Sequence, residues 1–227
     1  MSEGAAPTLS APVLRVLPWL VAVAFFMENL DISILNTAVP VIAKDLGTTA
    51  LSLKAVLTTY TLALAIFIPV SGWVADRFGT RRVFRVAVAL FTLGSLLCGL
   101  SVDLHMLVAS RFVQGIGGAM MVPVGRIALI RAYPRSRMLT MMNYVVIPAL
   151  VAPLVGPFVG GALVHVLPWR TIFFVNIPIG AVGWWMIRRY MPDFAHRTVP
   201  PIDGQGMLLF GAGIALLSYV LGVFGEH

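Results

Sequence analysis

The amino-acid sequence predicts an all-α polytopic membrane protein, and three observations carry that expectation. Apolar residues make up 59% of the 227 residues and charged ones only 11%. Mean hydropathy is +0.93, far from the balance of a water-soluble domain. Continuous apolar runs recur at about 20 residues, the length a helix needs to cross a hydrocarbon core. Basic residues collect between alternate runs rather than on one soluble face, which also speaks against nucleic acid as a partner.

The runs place spans near 18–41, 52–74, 84–101, 104–130, 138–164 and 171–189. A polar break at 191–203 and a seventh span near 204–224 follow. The first span is the most informative, because Glu28 and Asp31 stand near its middle. Three residues apart on a helix, the two carboxylates share one face. An Asp at mid-membrane costs roughly 2.5–3.5 kcal/mol on insertion scales, so it normally faces a protein interior or a water-filled cavity and works there. Together they suggest a proton or cation site whose two acids are coupled. Met1–Pro12 lacks a basic leader region and the following run exceeds a signal-peptide core, so the first span is expected to be retained. Segment 1–17 precedes it.

The second span leads into Gly72-Trp73-Val74-Ala75-Asp76-Arg77-Phe78-Gly79-Thr80-Arg81-Arg82. Its glycines permit a tight turn, with the acid set among arginines. The third span carries the lone Cys98, which excludes an intrachain disulfide or a cysteine metal site. His105, His165, His196 and His227 show no metal-ligand spacing either. The fourth span holds Arg111 and Gln114, then Gly115, Gly117 and Gly118. Arg cannot shed its proton, and eight residues past Asp103 it lies about 12 Å deeper by helical rise, so it needs an anion. Asp31 and Glu28 are the natural partners. Arg126, nearer the end of the span, reads as an interfacial anchor.

The fifth span contains Pro148, Pro153 and Pro157 with Gly156, Gly160 and Gly161, and is expected to be kinked and closely packed. Trp169-Arg170 and the run Phe173 to Gly180 open the sixth span, with aromatics expected at interface depth. Segment 191–203 holds three prolines and both charge signs, as a linker should.

Charge placement predicts orientation. Arg15, Arg77, Arg81, Arg82, Arg85, Arg131, Arg135, Arg137, Arg188, Arg189 and Arg197 fall on one side, and Lys44, Lys54 and Arg170 on the other. The positive-inside rule puts the amino terminus in the cytoplasm of a cell whose inner membrane the chain spans. Other seven-span classes fit less well. A retinal protein needs a Schiff-base lysine in its last span, and Lys44 and Lys54 are the only lysines.

Four motifs in order give the whole chain a resemblance to the amino-terminal half of a major facilitator superfamily transporter. They are Leu30-Asp31-x4-Asn36-x3-Pro40, Gly72 to Arg82, Arg111-x-x-Gln114-Gly115-x-Gly117 and Gly156-Pro157-x-x-Gly160-Gly161. More narrowly the chain is similar to the multidrug drug:proton antiporter branch with about fourteen spans. Glu28 stands where that branch has an uncharged polar residue, and Thr80 replaces a basic or polar one.

The resemblance implies a six-helix half-transporter at 18–190 plus a linker span at 204–227, joined by the cytoplasmic segment 191–203. It implies alternating access and efflux of a lipophilic or cationic small molecule, driven by the proton gradient without a bound cofactor. Proton coupling is expected at Asp31, Glu28 and Arg111, with Asp31 foremost. Asn36, Gln114 and Asn143 are expected to line the substrate cavity. Gly72, Asp76, Arg77, Gly79, Arg81 and Arg82 are expected to form a gating loop, and Gly156, Pro157, Gly160 and Gly161 the antiporter signature. Since the family has a second six-span half, this chain is expected to need a carboxy-terminal half or a second half-chain. The rival expectations are a half-protein that does not transport and a proton-coupled importer.

Overall fold

The computed structural model describes residues 9–195, 201 and 203–224. Arg197, the first eight residues of segment 1–17, most of the second half of the linker and the last three residues lie outside these. The elements are α1 (Ala11–Asp45), α2 (Lys54–Phe78), α3 (Thr80–Gly99), α4 (Leu104–Ala132), α5 (Arg135–Val166), α6 (Thr171–Phe174), α7 (Asn176–Tyr190) and α8 (Gly204–Phe224). Among the described residues, α1 to α5 and the stretch Thr171–Tyr190 are long and apolar enough to cross a membrane. The expected seventh span coincides with α8, which packs on α2 around Ile66, Pro69 and Trp73.

The helices overrun the apolar stretches because backbone hydrogen bonding continues past the hydrocarbon core. α1 starts on a proline in its first turn, where the missing N–H costs nothing. At α4, Asp103 caps the helix by accepting from the Met106 N–H at 2.8 Å. α5 is one continuous helix through all three prolines. The sixth span pauses at Val175, whose helical backbone angles carry α6 almost directly into α7.

The α2–α3 connection differs from the expected loop. Gly72 lies within α2, Asp76 and Arg77 ride on its last turn, and Arg81 and Arg82 ride on the first turn of α3. Only Gly79 is non-helical, with φ 87° and ψ 141°. A positive φ is nearly free for glycine alone, so one residue reverses the chain and leaves the charges on rigid helix ends.

α4 runs between α2 and α3, while α1 lies along α5 and also touches α4, α6 and α7. Fourth-span glycines make that central position possible. A methyl at Gly117 would lie 2.5 Å from the Phe91 amide nitrogen and 2.8 Å from the Ala87 carbonyl, and one at Gly115 2.9 Å from the Tyr60 carbonyl. The described buried apolar side chains form two clusters. One gathers Leu17 to Met27 of α1 with Phe84, Phe91 and Met121. The other gathers Leu30 to Ala43 of α1 with Cys98, Leu107 and Phe173. Glu28 falls at the break between them and Asp31 just beyond it, which puts buried polar groups mid-bundle.

Candidate functional site

At that break, α1 contributes Asp31, α4 Arg111 and Gln114, α3 Ser95, and α7 Asn176, all nearly inaccessible. Arg111 Nη1 donates to Asp31 Oδ2 at 2.5 Å and to Gln114 Oε1 at 2.8 Å. Asp31 Oδ1 accepts from Gln114 Nε2 at 3.0 Å and from Asn176 Nδ2 at 2.8 Å. Asn176 Nδ2 also reaches Ser95 Oγ at 3.0 Å, and Ser95 donates to the Phe173 carbonyl at 2.8 Å. The Arg111 guanidinium lies over the rings of Tyr60, at 5.3 Å, and Phe173, at 5.1 Å. One carboxylate is thus held by three side chains from two other helices. A buried pair survives in low dielectric only when its remaining lone pairs and protons are satisfied in this way.

The expected alternative partner for Arg111 is corrected here. Glu28, although on the same face of α1 and 6% exposed, makes no ion pair with it. Its carboxyl sits instead by Gly118 of α4 and the Tyr60 hydroxyl. A methyl at Gly118 would lie 2.7 Å from Tyr60 Oη and 3.5 Å from Glu28 Oε1. Among the described residues, neither Glu28 Oε2 nor Tyr60 Oη completes a hydrogen bond, and neither does Arg111 Nε.

The other expected site residues divide. Gln114 belongs to the network rather than to an open cavity wall. Asn36 and Asn143 are exposed on α1 and α5. Arg126 is exposed and lies over the Phe25 ring at 5.9 Å. Gly156 and Gly160 are buried against α1, where a methyl at Gly160 would lie 3.1 Å from the Ile34 carbonyl. Pro157 is exposed and Gly161 has open space beside it. Half of the expected antiporter signature is therefore packing between α5 and α1 within this chain.

At one end of the bundle, Asp76 Oδ1 accepts from Arg131 Nη2 at 2.6 Å, tying α2 to α4. The segment after α7 crosses the α2–α3 hinge. Thr80 Oγ1 donates to the Pro192 carbonyl at 3.1 Å and accepts from the Phe194 N–H at 3.0 Å. Arg81 Nε donates to the Met191 carbonyl at 2.5 Å. The Tyr133 hydroxyl donates to the Leu14 carbonyl at this end, and burial pushes the phenol pKa up from its ordinary value. At the other end, Asp45 Oδ2 accepts from Trp169 Nε1 at 2.7 Å and from Arg170 Nη1 at 3.0 Å, while Arg170 Nη2 reaches the Ser101 carbonyl at 3.1 Å. Trp169 is thus a buried tie at this end of the bundle.

Sequence reasoning passed over Ser95, Asn176 and Tyr60, and gave Thr80 and Arg131 no part in holding the helix ends. Asn176 carried a usable signal, since an amide inside an apolar span wants a partner. Tyr60 and Ser95 carried none, because isolated hydroxyls are common in membrane helices and find local acceptors.

The matches to known proteins agree with this architecture. The family model described as Major Facilitator Superfamily matches residues 21–225. Relatives named multidrug resistance protein MdtD, from Salmonella paratyphi B and Salmonella typhi, are 45% identical over 203 residues, which is 89% of this chain and 43% of each relative. The chain thus spans about half the length of the curated relatives it matches. Among solved structures, a bacterial homolog of the human lysosomal transporter Spinster superposes with TM-score 0.65 at 16% identity, over 86% of this chain and 47% of that one. A POT family transporter in complex with a thioalcohol conjugated peptide gives TM-score 0.69 at 19% identity, over 92% and 46%. These low identities speak for the fold. With the family model spanning nearly all of it and six membrane-length helices beneath, the chain is a multi-pass membrane protein that belongs to the major facilitator superfamily.

Proposed function

We propose that this chain supplies the amino-terminal half of a proton-coupled efflux transporter for small lipophilic or cationic compounds. The observation that carries the reading is the buried Asp31–Arg111 pair with Glu28 beside it. Ionisable groups at mid-bundle are expensive and mark ion pathways in membrane proteins. The names of the relatives support export of drug-like compounds, and the exposed apolar face of α5, with Leu150, Leu154 and Phe158, suits a wall shared with lipid or a second half. Asn36 and Asn143 are proposed to face the substrate. The arginine-rich end, where Asp76, Arg77, Arg81 and Arg82 sit, is proposed to face the cytoplasm of the inner membrane and to act in gating. One elementary charge moving across 100 mV carries about 2.3 kcal/mol, enough for roughly 50-fold accumulation.

The chain's share of its relatives favours a second reading of the same site, in which the 227 residues do not transport alone. Alternating access rocks two halves about a midplane cavity, and one half encloses no cavity. The test is drug efflux in everted vesicles from cells expressing the chain alone or with the carboxy-terminal half of an MdtD relative. Efflux with both halves, abolished by a protonophore, supports the reading. Protonophore-sensitive efflux by the chain alone points to a homodimer of half-chains. Uptake in place of efflux would identify an importer, and no flux with both halves would refute transport.

A further inference from the structure

Glu28 and Asp31 are one helical turn apart and both are buried, yet their surroundings are opposite in kind. Every polar atom aimed at Asp31 is a donor: Arg111 Nη1, Gln114 Nε2 and Asn176 Nδ2. The Gln114 amide is locked in that sense, because its own oxygen accepts from Arg111. Three of the roughly four lone-pair sites of the Asp31 carboxylate already accept from N–H donors, so a proton added there competes with them, and Arg111 does not give up its own. Glu28 has the converse setting. Its Oε2 receives no donor among the described residues, and the group beside it is the Tyr60 hydroxyl, which can donate or accept. An added proton there meets no opposing N–H, and the neighbouring Tyr60 hydroxyl, itself without a partner among the described residues, can turn a lone pair toward it.

We infer that the exchangeable proton of this chain is carried by Glu28, next to the Tyr60 hydroxyl, and that Asp31 is the fixed counter-ion of Arg111. The inference deepens the proton-coupled reading above and rests on it for its physiological meaning. The step is simple: a proton from water binds Glu28 Oε2 to give the neutral acid, and its loss returns the carboxylate. No other bond changes.

Each neighbouring element has a part in this. Asp31 lies on the same helix, so loss of the Glu28 proton places a second anion one turn from the first. From α2, Tyr60 sets its ring on Arg111 and its hydroxyl by the Glu28 carboxyl, so one side chain touches both groups. From α4, Arg111 supplies the only cation near the pair among the described residues, and it is committed to Asp31. α3 brings Cys98, whose thiol lies 3.6 Å from Gln114 Oε1, and α7 brings the neutral Asn176. α5 meets α1 one turn further on, where Ser33 donates to the Pro153 carbonyl. Among the described residues no group of three or more His, Cys, Asp or Glu side chains could hold a metal ion, whereas a proton needs a single oxygen.

Infrared difference spectroscopy of the purified 227-residue chain in lipid vesicles, titrated from alkaline to mildly acidic pH, reads the carboxylic acid directly and needs no transport. The expected result is one protonated-carboxyl band that shifts on deuteration, vanishes in Glu28→Gln and persists in Asp31→Asn. Tyr60→Phe should move its frequency, which a merely structural tyrosine would not do. Where Asp31→Asn alone does not fold, the double variant with Arg111→Gln replaces it. A band that survives Glu28→Gln and vanishes in Asp31→Asn would overturn the inference, and so would the absence of any titrating band. If the band behaves as expected but no flux is found with both halves, the transport reading fails and the Glu28 assignment stands.

Discussion

Arg111 Nη1 lies 2.5 Å from Asp31 Oδ2 although the two residues are 80 positions apart in the chain, which pins α4 to α1 between the two apolar clusters. The pair is 1% and 2% exposed at its side chains. Removing one member leaves an uncompensated buried charge, at about 3–5 kcal/mol, whereas removing both leaves neutral groups that can still hydrogen-bond. Arg111→Ala should therefore sharply lower the unfolding temperature of the detergent-solubilised chain, and Asp31→Asn with Arg111→Gln should recover most of the loss. A single variant that purifies with unchanged stability would show that the pair does not hold the bundle.

Glycine positions in α4 and α5 should separate into those that set helix distance and those that do not. Gly117→Ala places a methyl 2.5 Å from the Phe91 amide nitrogen, against backbone that cannot swing away. Such overpacking typically costs about 1–3 kcal/mol. Gly161→Ala has open space beside it and should be neutral, or stabilising by up to about 1 kcal/mol through helix propensity. Thermal unfolding of both variants checks this, and equal effects would refute the assigned packing.

How much of this was legible in the sequence depends on the range of the interaction. Hydropathy gave the spans because membrane crossing is a local property of about 20 residues. The Asp31–Arg111 pairing was also legible, since two opposite charges buried in apolar runs have few alternatives. The split between Asp31 and Glu28 was not. Spacing puts both on one face, and only the three-dimensional positions of Gln114, Asn176 and Tyr60 tell which acid is surrounded by donors. The same holds for Gly156 and Gly160, whose partner is α1, a helix more than a hundred residues earlier. The α2–α3 loop was read too long because Gly72 and Gly79 both offered turn positions, and Gly72 lies inside α2. Here Gly79 reverses the chain alone and lets the charges stay helical.

Thr80 should matter more than an ordinary surface threonine. It is buried, and its hydroxyl holds Pro192 and Phe194 across the hinge. Thr80→Val keeps the shape but leaves the part-buried Phe194 N–H and the Pro192 carbonyl short of partners, at about 1–3 kcal/mol. The expected outcome is faster protease cleavage within residues 191–195 with the six spans still intact. Cleavage at the wild-type rate would mean that the Thr80 backbone N–H, bonded to the Phe194 carbonyl, and Arg81 secure the segment without the hydroxyl.

Asp76 and Arg131 form a different kind of pair from Asp31 and Arg111, and the difference sets the last prediction. Their side chains are 33% and 26% exposed, and they join α2 to α4 at the end of the bundle rather than its middle. Partly exposed pairs contribute about 1 kcal/mol or less, since solvent screens them in both the folded and the unfolded chain. Asp76→Asn should thus leave unfolding temperature nearly unchanged. On the proposed gating role it should still slow turnover of the transporter assembled with a second half, because the pair fixes the helix ends of α2 and α4 at the surface where that half would meet this one. Substrate affinity should stay near wild type, since Asp76 lies a full half-helix from the buried acids. Parallel measurement of efflux rate and equilibrium drug binding separates the outcomes: weakened binding at normal turnover would place Asp76 in substrate recognition instead of gating.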